Sequence, residues 1–252
     1  MLNKMASWHK PTIFQAFPNI IAAQSTRSGG VSAGPFHSLN LGFRVHDDEE
    51  NVRENRRIFY NGLGIDLQEV AATRQVHGDR ILYAPEAGEY EGFDALVSDR
   101  KNVFLSVSIA DCTPILLFDA AHQVVAAVHA GWRGTVEGIA YKTLEVMQMQ
   151  FGTRPEDCFA FIGACIDECS YEVDADVADH FPENFKRYDT EKRKFFVDLK
   201  AGNKDQLQVF GIPEKQIEVS PYSTVLHNDR FFSHRAEQGT TGRMMAVIGL
   251  RG

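Results

Sequence analysis

The chain has 252 residues, of which 44% are hydrophobic and 24% are charged, and its formal net charge is −8. A chain of this length and composition forms one large globular domain or two small ones. The acidic balance argues against sequence-independent binding of nucleic acid, which needs a basic face. No apolar run reaches the roughly 18 residues of a membrane span, so we expect neither nucleic acid nor a membrane as partner.

The N-terminus and the cysteines predict a cytoplasmic protein. Residues 1–10, MLNKMASWHK, lack the apolar core of a secretory signal. Residues 1–11 are predicted to be a loose extension of a single catalytic domain at 12–252. Cysteines occur at positions 112, 158, 165 and 169. In a chain of this size without a secretion signal, they favour free thiols in a reducing compartment.

Strand-like segments rich in β-branched and aromatic residues dominate the chain. The segments at 103–109, 114–118 and 123–129 are too close for helical crossovers, so some pairing must be antiparallel. We therefore predict a single α/β or α+β domain with a mixed sheet. The other predicted strands lie at 12–17, 20–27, 69–83 with an interruption at Gly78, 158–163, 195–199, 217–220, 231–235 and 244–250.

Helical patterns lie between these strands. N-cap residues, apolar stripes and terminal glycines define them. Three of the four predicted helices run from Asp48 to Gly62, from after Thr135 to Gly152, and from Leu199 to Gly211. A shorter one starts at Asp174 and includes Val177 and Phe181.

His77, Cys112 and His129 are the candidate metal ligands. Each stands where an apolar run breaks into a polar or glycine-rich turn. Two imidazoles and one thiolate suit zinc, or less often copper, and three protein ligands leave one position open for water or substrate. Taken singly, each residue is more often a packed core residue than a ligand, and the spacing matches no compact zinc motif.

A pool of polar residues is predicted to bind substrate or phosphate. The glycine- and serine-rich segment 25–42 can form an anion-binding nest, to which Arg27 adds charge and Asn40 a contact for a sugar or base edge. The next helix adds further arginines, whose forks suit phosphate; the alternative is a surface loop followed by a solvated basic helix face. The pool comprises Arg27, Asn40, Arg53, Arg56, Gln75 and Arg133.

Two carboxylates are predicted to transfer protons. Asp111 precedes the candidate ligand Cys112, and Glu172 lies in the turn-rich segment 163–173. Asp111 could instead shape a turn before Pro114.

Other common catalytic signatures are absent from the sequence or out of context. The chain has no phosphate-binding P-loop, no dinucleotide fingerprint and no HExxH pair. A G-x-S-x-G string occurs at 30–34, but Pro35 follows it where a nucleophile elbow needs a helix.

Several segments together resemble one family closely. They are STRSGGVSAGPFHSLNLG, DDEENVRENRR, QVHGDRI, ADCTPILL, AVHAGWRGT, GACIDECSYEV, FFVDL, FFSHR and TGR, in the expected order over residues 12–250. The chain is identified by them as similar to the laccase-domain proteins, also called multicopper polyphenol oxidases, purine nucleoside phosphorylases or peptidoglycan editing factors.

The resemblance implies a fold, a metal site and an activity. The fold would be a single domain with sheets sandwiched between helices, and zinc would be bound by His77, Cys112 and His129. The activity would be phosphorolysis of adenosine, inosine or methylthioadenosine, and hydrolytic deamination of adenosine, by a monomer or small homo-oligomer. The chain departs from the family pattern at Ala164, where a proline is usual, and at His234, where a tyrosine is usual, so substrate preference can differ.

Other functions remain open at this stage. A His2Cys set with an axial methionine from Met244 or Met245 would make a copper oxidoreductase, although one such set cannot hold the several coppers of a laccase. Cys112 could instead be the nucleophile of a hydrolase that edits peptidoglycan precursors. A binding module without enzymatic activity is the third alternative.

Overall fold

The computed structural model describes residues 7–252. Its helices are α1 Glu49–Gly62, α2 Trp132–Val136, α3 Ile139–Phe151, α4 Ala175–Ala178 and α5 Leu199–Phe210. Its strands are β1 Trp8–His9, β2 Ile20–Ser25, β3 Val70–Arg74, β4 Ile81–Tyr83, β5 Gly88–Glu91, β6 Ala95–Ser98, β7 Phe104–Ile109, β8 Thr113–Asp119, β9 Val124–Ala130, β10 Cys158–Ile162, β11 Glu172–Val173, β12 Lys186–Asp189, β13 Lys194–Val197, β14 Ile217–Val219 and β15 Met244–Leu250.

Two mixed six-stranded sheets form the centre of the domain. The first has the order β1-β2-β15-β7-β3-β5 and the second the order β14-β10-β8-β9-β6-β4. Each combines antiparallel and parallel pairs, as in β7 with β15 and β7 with β3. A third, smaller sheet has the order β11-β13-β12, and its strands do not pair with those of the two large sheets. The predicted mixed α/β single domain is confirmed.

Three apolar clusters explain the layering. One joins residues of both large sheets, such as Leu105 and Leu116, so the two sheets pack face to face. A second places α1 on the outer side of the first sheet, and a third places α3 and α5 on the outer side of the second. The result is a helix, sheet, sheet, helix sandwich, as the resemblance implied.

The central strand β9 shows why its sequence is continuously apolar. Val124, Ala126 and Val128 face the cluster with α3 and α5, while Val125 and Ala127 face the first sheet. A strand covered on both faces has no polar side. A polar side chain at its end, such as that of His129, is therefore held rigidly.

The structure corrects several predicted elements. Residues 12–17 form a single 3-10 turn at Thr12–Phe14 and 231–235 contain no strand. The helix predicted after Thr135 is two helices, because Gly138 adopts a left-handed conformation with φ of 78° between α2 and α3. Short strands β5, β6 and β12 were not predicted. Their few residues carry too little alternation to stand out.

The N-terminal prediction is wrong for part of its range. Trp8 and His9 form β1 and pair with Ser25 and Gln24 of β2, so this part of the predicted loose extension belongs to the sheet. Residues 1–6 lie outside the described residues.

Helix caps follow the predicted chemistry. The Asp48 carboxylate accepts a hydrogen bond from the Glu50 backbone at the start of α1. Gly152 and Gly211 end α3 and α5 in the left-handed conformation, where glycine carries no steric penalty.

All four cysteines are free thiols, as predicted. Within residues 7–252 no helix has the length and apolar character needed to span a bilayer.

A substitution at Gly249 would test the packing of the first sheet. A Cβ atom on this β15 residue would lie inside van der Waals contact with the Phe104 ring, which is fully buried. We expect Gly249→Ala to lower the free energy of unfolding by about 1–3 kcal/mol through overpacking. Denaturant unfolding measures this change, and an unchanged transition midpoint would contradict the packing described.

Candidate metal centre and cavity

Three predicted ligands converge in space. His77 lies in the loop between β3 and β4, Cys112 in the turn between β7 and β8, and His129 near the end of β9. The ligand atoms of the three side chains all lie within 4.8 Å of one another. In residues 7–252 they are the only group of three or more His, Cys, Asp or Glu side chains gathered this way. We call them the three-donor cluster.

Strand pairing explains how two of these donors meet. Thr113, directly after Cys112, pairs with Ala130, directly after His129, across β8 and β9. His77 completes the cluster from a different loop with a left-handed φ of 59°, and its ring meets that of His129 edge to face at 4.9 Å between centroids.

The buried carboxylate of Asp94 organises the cluster. One oxygen, Oδ1, accepts hydrogen bonds from His129 Nδ1 at 2.8 Å and from the His77 backbone N–H at 3.0 Å. The other, Oδ2, accepts from the backbone N–H groups of Val76 at 3.1 Å and Gly78 at 3.0 Å. Since His129 Nδ1 donates to Asp94, its Nε2 is the nitrogen left for a metal.

Gly131 allows the donors to approach one another. A Cβ at this position would lie 3.3 Å from Cys112 Sγ and 3.4 Å from His77 Cδ2. The absence of a side chain therefore leaves room for the thiol and the imidazole beside the start of α2.

The electrostatics favour a thiolate. Burial raises the pKa of Cys112, but the charge and hydrogen bond of His129 and the hydrogen bond of His77 outweigh it and lower the pKa to about 6. Burial likewise lowers the pKa of His129, but the Cys112 charge and the Asp94 hydrogen bond raise it to about 9. In the metal-free cluster both shifts favour a thiolate beside an imidazolium, and the thiolate is the form of cysteine that binds metals.

The donor set fits a metal. A soft thiolate and two imidazoles suit zinc, and a three-ligand site leaves one coordination position open. The carboxylate that fixes His129 is the usual outer partner of a zinc-binding histidine. Zinc and copper are both compatible with these donors.

The cluster opens into a cavity of about 830 Å³. That volume accommodates a ligand the size of a nucleoside. Apart from the three donors, the walls include the arginines 44, 53, 56, 235 and 243, the aromatic rings of Phe43, Tyr171 and His234, and Gln75, Ser106, Ser108, Asp111 and Met245.

Three residues of the predicted pool and one of the two predicted carboxylates line the cavity with defined partners. Gln75 exchanges two hydrogen bonds of 2.8 Å with the Ser108 backbone, which ties the end of β3 to β7. The exposed Arg53 pairs with Glu49 at 3.2 Å. Arg56 and Asp111 complete this group and are described below.

Asp111 holds the cavity wall together. Its Oδ1 accepts a hydrogen bond from Thr224 at 2.6 Å and its Oδ2 accepts one from the Arg235 backbone N–H at 2.7 Å. Its φ of 87° is left-handed. The side chain therefore lines the cavity beside Cys112 and also anchors the loop that carries His234 and Arg235.

Three other predicted residues, Arg27, Arg133 and Glu172, do not line the cavity, so their placement does not support the predicted phosphate or proton roles. Arg27 pairs with Glu237 at 3.0 Å and donates to the Asn228 carbonyl at 2.7 Å, so it joins loops. Arg133 lies over the Trp132 ring at 4.3 Å. Glu172 faces Lys192 at 3.7 Å, and only its backbone carbonyl contacts a cavity residue, Arg235.

Asn40 is the fourth residue outside the cavity. It is fully buried. Its amide oxygen accepts from the backbone N–H groups of Gly42 at 3.0 Å and Arg243 at 2.8 Å, while its NH2 group donates to Asp47 at 2.8 Å. It therefore supports the cavity wall instead of contacting a sugar or a base.

The two departures from the family pattern have different settings. His234 is exposed and lines the cavity, so the imidazole can contact a substrate. Ala164 is buried, and its backbone N–H and carbonyl bond to both ends of the Gln24 amide at 2.7 and 2.9 Å. The turn at Ala164 is therefore held without a proline.

Sequence reasoning missed Asp94. It precedes the unpredicted strand β6, and its role depends on two distant loops. Tyr171 and Arg243 stand in the turn-rich segments 163–173 and 231–243, where the sequence offered both as candidates, and both line the cavity. Burial is the main cause of the raised pKa of Tyr171.

Comparison with known proteins agrees with this architecture. Residues 21–251 match the family described as multi-copper polyphenol oxidoreductase laccase. The purine nucleoside phosphorylase YlmD of Bacillus subtilis is 35% identical over 92% of this chain and 89% of its own length. A purine nucleoside phosphorylase of Deinococcus radiodurans is 40% identical over 92% and 91%.

Solved structures show the same fold. The crystal structure of YlmD from Geobacillus stearothermophilus superposes with a TM-score of 0.89 at 36% identity and covers 94% of both chains. That of the Bacillus licheniformis protein YfiH gives 0.88 at 36% identity over 92% of this chain and 93% of that one. With this agreement in sequence and fold over nearly its whole length, the chain belongs to the multi-copper polyphenol oxidoreductase laccase family.

Proposed function

We propose that this protein is a zinc-dependent purine nucleoside phosphorylase that also deaminates adenosine. The observation that carries the proposal is the three-donor cluster, which opens into a cavity of nucleoside size lined by arginines. The names of its relatives support the phosphorolytic reaction. Its substrates would be adenosine, inosine or methylthioadenosine with phosphate.

The cavity combines the three surfaces that such a substrate needs. Phe43 and Tyr171 offer aromatic faces for a purine, and the arginines offer forks for phosphate. A zinc ion bound by the cluster would supply a Lewis acid at the cavity wall. Asp111 lines the cavity beside Cys112, so we retain it as the candidate for proton transfer.

Both reactions can be written with defined bonds. In phosphorolysis, a phosphate oxygen forms a bond to C1′ of the ribose while the C1′–N9 bond breaks, and the base leaves with the electron pair. In deamination, a water oxygen forms a bond to purine C6, and the C6 amino group leaves as ammonia. Asp111 would hold or pass the proton that water releases.

A product assay beside elemental analysis tests this proposal. The protein as isolated is incubated with adenosine, with and without phosphate, and the products are separated. We expect about one zinc per chain, with adenine and ribose 1-phosphate formed only when phosphate is present, and inosine formed without it. Metal stripping should abolish both reactions and zinc should restore them. Turnover that persists at full rate without metal would contradict the proposal.

One observation favours a second candidate, a cysteine hydrolase. Without metal, Cys112, His129 and Asp94 form a thiolate, imidazolium and carboxylate series that resembles a nucleophile with its base and orienting group. The metal-stripping assay separates the two, because a metal-bound thiolate is blocked as a nucleophile. A hydrolase would gain activity on peptidoglycan precursors when the metal is removed.

Copper chemistry ranks below these candidates. Met245 lines the cavity and is the potential axial ligand. However, a laccase needs several coppers, and residues 7–252 contain one three-donor cluster. We also propose a cytoplasmic location, which the four free thiols support.

A further inference from the structure

Three arginines of the cavity wall, Arg56, Arg235 and Arg243, have no carboxylate partner among the described residues, and of these Arg235 is exposed to water. Arg56 and Arg243 are both half-buried and line the cavity, and neither forms an ion pair within residues 7–252. Burial is the main influence on both side chains and lowers the pKa of each. Arginine nevertheless stays protonated in proteins, so two positive charges are partly withdrawn from water without a carboxylate in ion-pair contact.

Protein contacts fix these side chains but use few of their donors. Arg56 donates from Nε to the Leu41 carbonyl at 2.8 Å, and its guanidinium lies over the Phe43 ring at 4.3 Å. Arg243 donates from Nη1 to the carbonyls of Thr241 and Gly242, both at 3.0 Å. Since a guanidinium has five N–H donors, both Nη groups of Arg56 and the Nε and Nη2 groups of Arg243 remain for a ligand.

One chain segment holds both arginines in place. The Leu41 N–H donates to the Arg243 carbonyl at 2.9 Å, and the same Leu41 accepts the Arg56 hydrogen bond. At Gly42 a Cβ would lie 2.6 Å from Arg243 Cγ, so only glycine permits this close approach. Both side chains are thus held against the segment 41–42.

The neighbouring arginines differ in this respect. Arg44 is exposed and pairs with Glu89 at 3.0 Å, and Arg53 is exposed and pairs with Glu49 at 3.2 Å. These charges are already neutralised and surrounded by water. The cost of an unpaired charge therefore falls on Arg56 and Arg243.

Arg243 also lies within the electrostatic reach of the three-donor cluster. The negative charges of Cys112 and Asp111 raise its pKa against the effect of burial. A dianion at Arg243 would therefore lie near the cluster and Asp111, on the side of the cavity where the chemistry is expected.

We propose that Arg56 and Arg243 form the subsite for inorganic phosphate, with Arg44 and Arg53 only at its rim. The role of this subsite in catalysis rests on the proposed phosphorylase function. Phosphate binding itself can be measured without turnover. A phosphate dianion would accept forked hydrogen bonds from both guanidinium groups and neutralise them. The phosphate of a nucleoside monophosphate has the same chemistry and is the competing source.

Direct titration tests the subsite. Inorganic phosphate is titrated into the zinc-loaded protein by calorimetry, and the Arg56→Met and Arg243→Met variants are compared with the wild type. We expect each variant to weaken phosphate binding by about 10- to 100-fold, as for the loss of a charged hydrogen-bond partner. Arg57→Met is the matched control, because Arg57 neighbours Arg56 on α1 but is exposed and pairs with Glu54; its phosphate affinity should equal that of the wild type.

Further readouts separate the possible failures. Arg56→Lys and Arg243→Lys keep the charge, so they should bind phosphate more tightly than the methionine variants if the loss is electrostatic and not a loss of fold. In the phosphorolysis assay, the KM for phosphate should be higher in the lysine variants than in the wild type, and higher still in the methionine variants. Unchanged phosphate affinity in both methionine variants would overturn the subsite, even if the wild type is an active phosphorylase.

Phosphate binding without phosphorolysis would count against the proposed function and not against the subsite. If the wild type binds phosphate through Arg56 and Arg243 but cleaves no nucleoside, the subsite holds and the proposed phosphorylase function fails. If adenosine monophosphate binds and inorganic phosphate does not, and both methionine variants weaken only the nucleotide, the occupant is a nucleotide phosphate and the proposal is overturned.

Discussion

The Cys112→Ala variant is expected to lose its metal and both proposed activities while keeping its fold. The thiolate supplies the only sulfur among the three donors, and two imidazoles alone make a much weaker site. Since removal of an outer partner of a zinc ligand already costs 10- to 100-fold in affinity, loss of a ligand should cost more than about 100-fold. Elemental analysis and the adenosine product assay measure the two effects.

Cys169→Ala is the matched control for this variant. Cys169 is an exposed free thiol that does not line the cavity, so its replacement should leave zinc content and turnover unchanged. Circular dichroism should show the same folded spectrum for both variants. A Cys112→Ala protein that retains one zinc per chain but loses activity would refute the ligand role and favour Cys112 as a nucleophile.

The three-donor cluster could be predicted from the sequence because its signals are local. Cys112 and His129 interrupt apolar runs at strand ends, and strands covered on both faces leave few alternatives for a polar residue at that point. The mixed sheet followed from the short spacing between β7, β8 and β9. These features depend on a few neighbouring residues, so they can be recognised without the tertiary fold.

The cavity walls could not be predicted in the same way. Arg27 and Arg56 look alike in sequence, yet Glu237, 210 residues from Arg27, neutralises the first, while the second has no such partner among residues 7–252. Asn40 was predicted to contact a sugar, but its amide oxygen already accepts hydrogen bonds from the backbone N–H groups of Gly42 and Arg243. Whether a polar side chain is available to a ligand depends on distant partners, which only the fold brings together.

Asp94→Asn should weaken zinc binding by about 10- to 100-fold, although Asp94 is not itself a ligand. The carboxylate accepts four hydrogen bonds, and an asparagine offers one acceptor oxygen and an NH2 group that faces N–H donors. Where the NH2 group faces His129, the clash is relieved when the proton moves from Nδ1 to Nε2, which removes the nitrogen that a metal needs. Zinc competition against a chelator measures the loss.

The Asp79→Asn variant is the control, because Asp79 lies in the loop between β3 and β4 that carries His77. Asp79 pairs with Lys142 at the surface, and an exposed pair of this kind contributes about 0–1 kcal/mol. The Asp79→Asn variant should bind zinc like the wild type.

Asp94→Asn should also lower the melting temperature, because a buried donor without a partner costs about 1–3 kcal/mol.

Stability alone does not separate a positioning role from a structural one. Cobalt substituted for zinc reports the ligand field directly, and its visible absorption should change in Asp94→Asn if His129 is reoriented. A purely structural carboxylate would lower the melting temperature while the cobalt spectrum and the zinc affinity stay as in the wild type. In that outcome the only role of Asp94 would be to hold the loop at 76–78 through its backbone hydrogen bonds. The orientation of His129 would then have to come from the packing of β9.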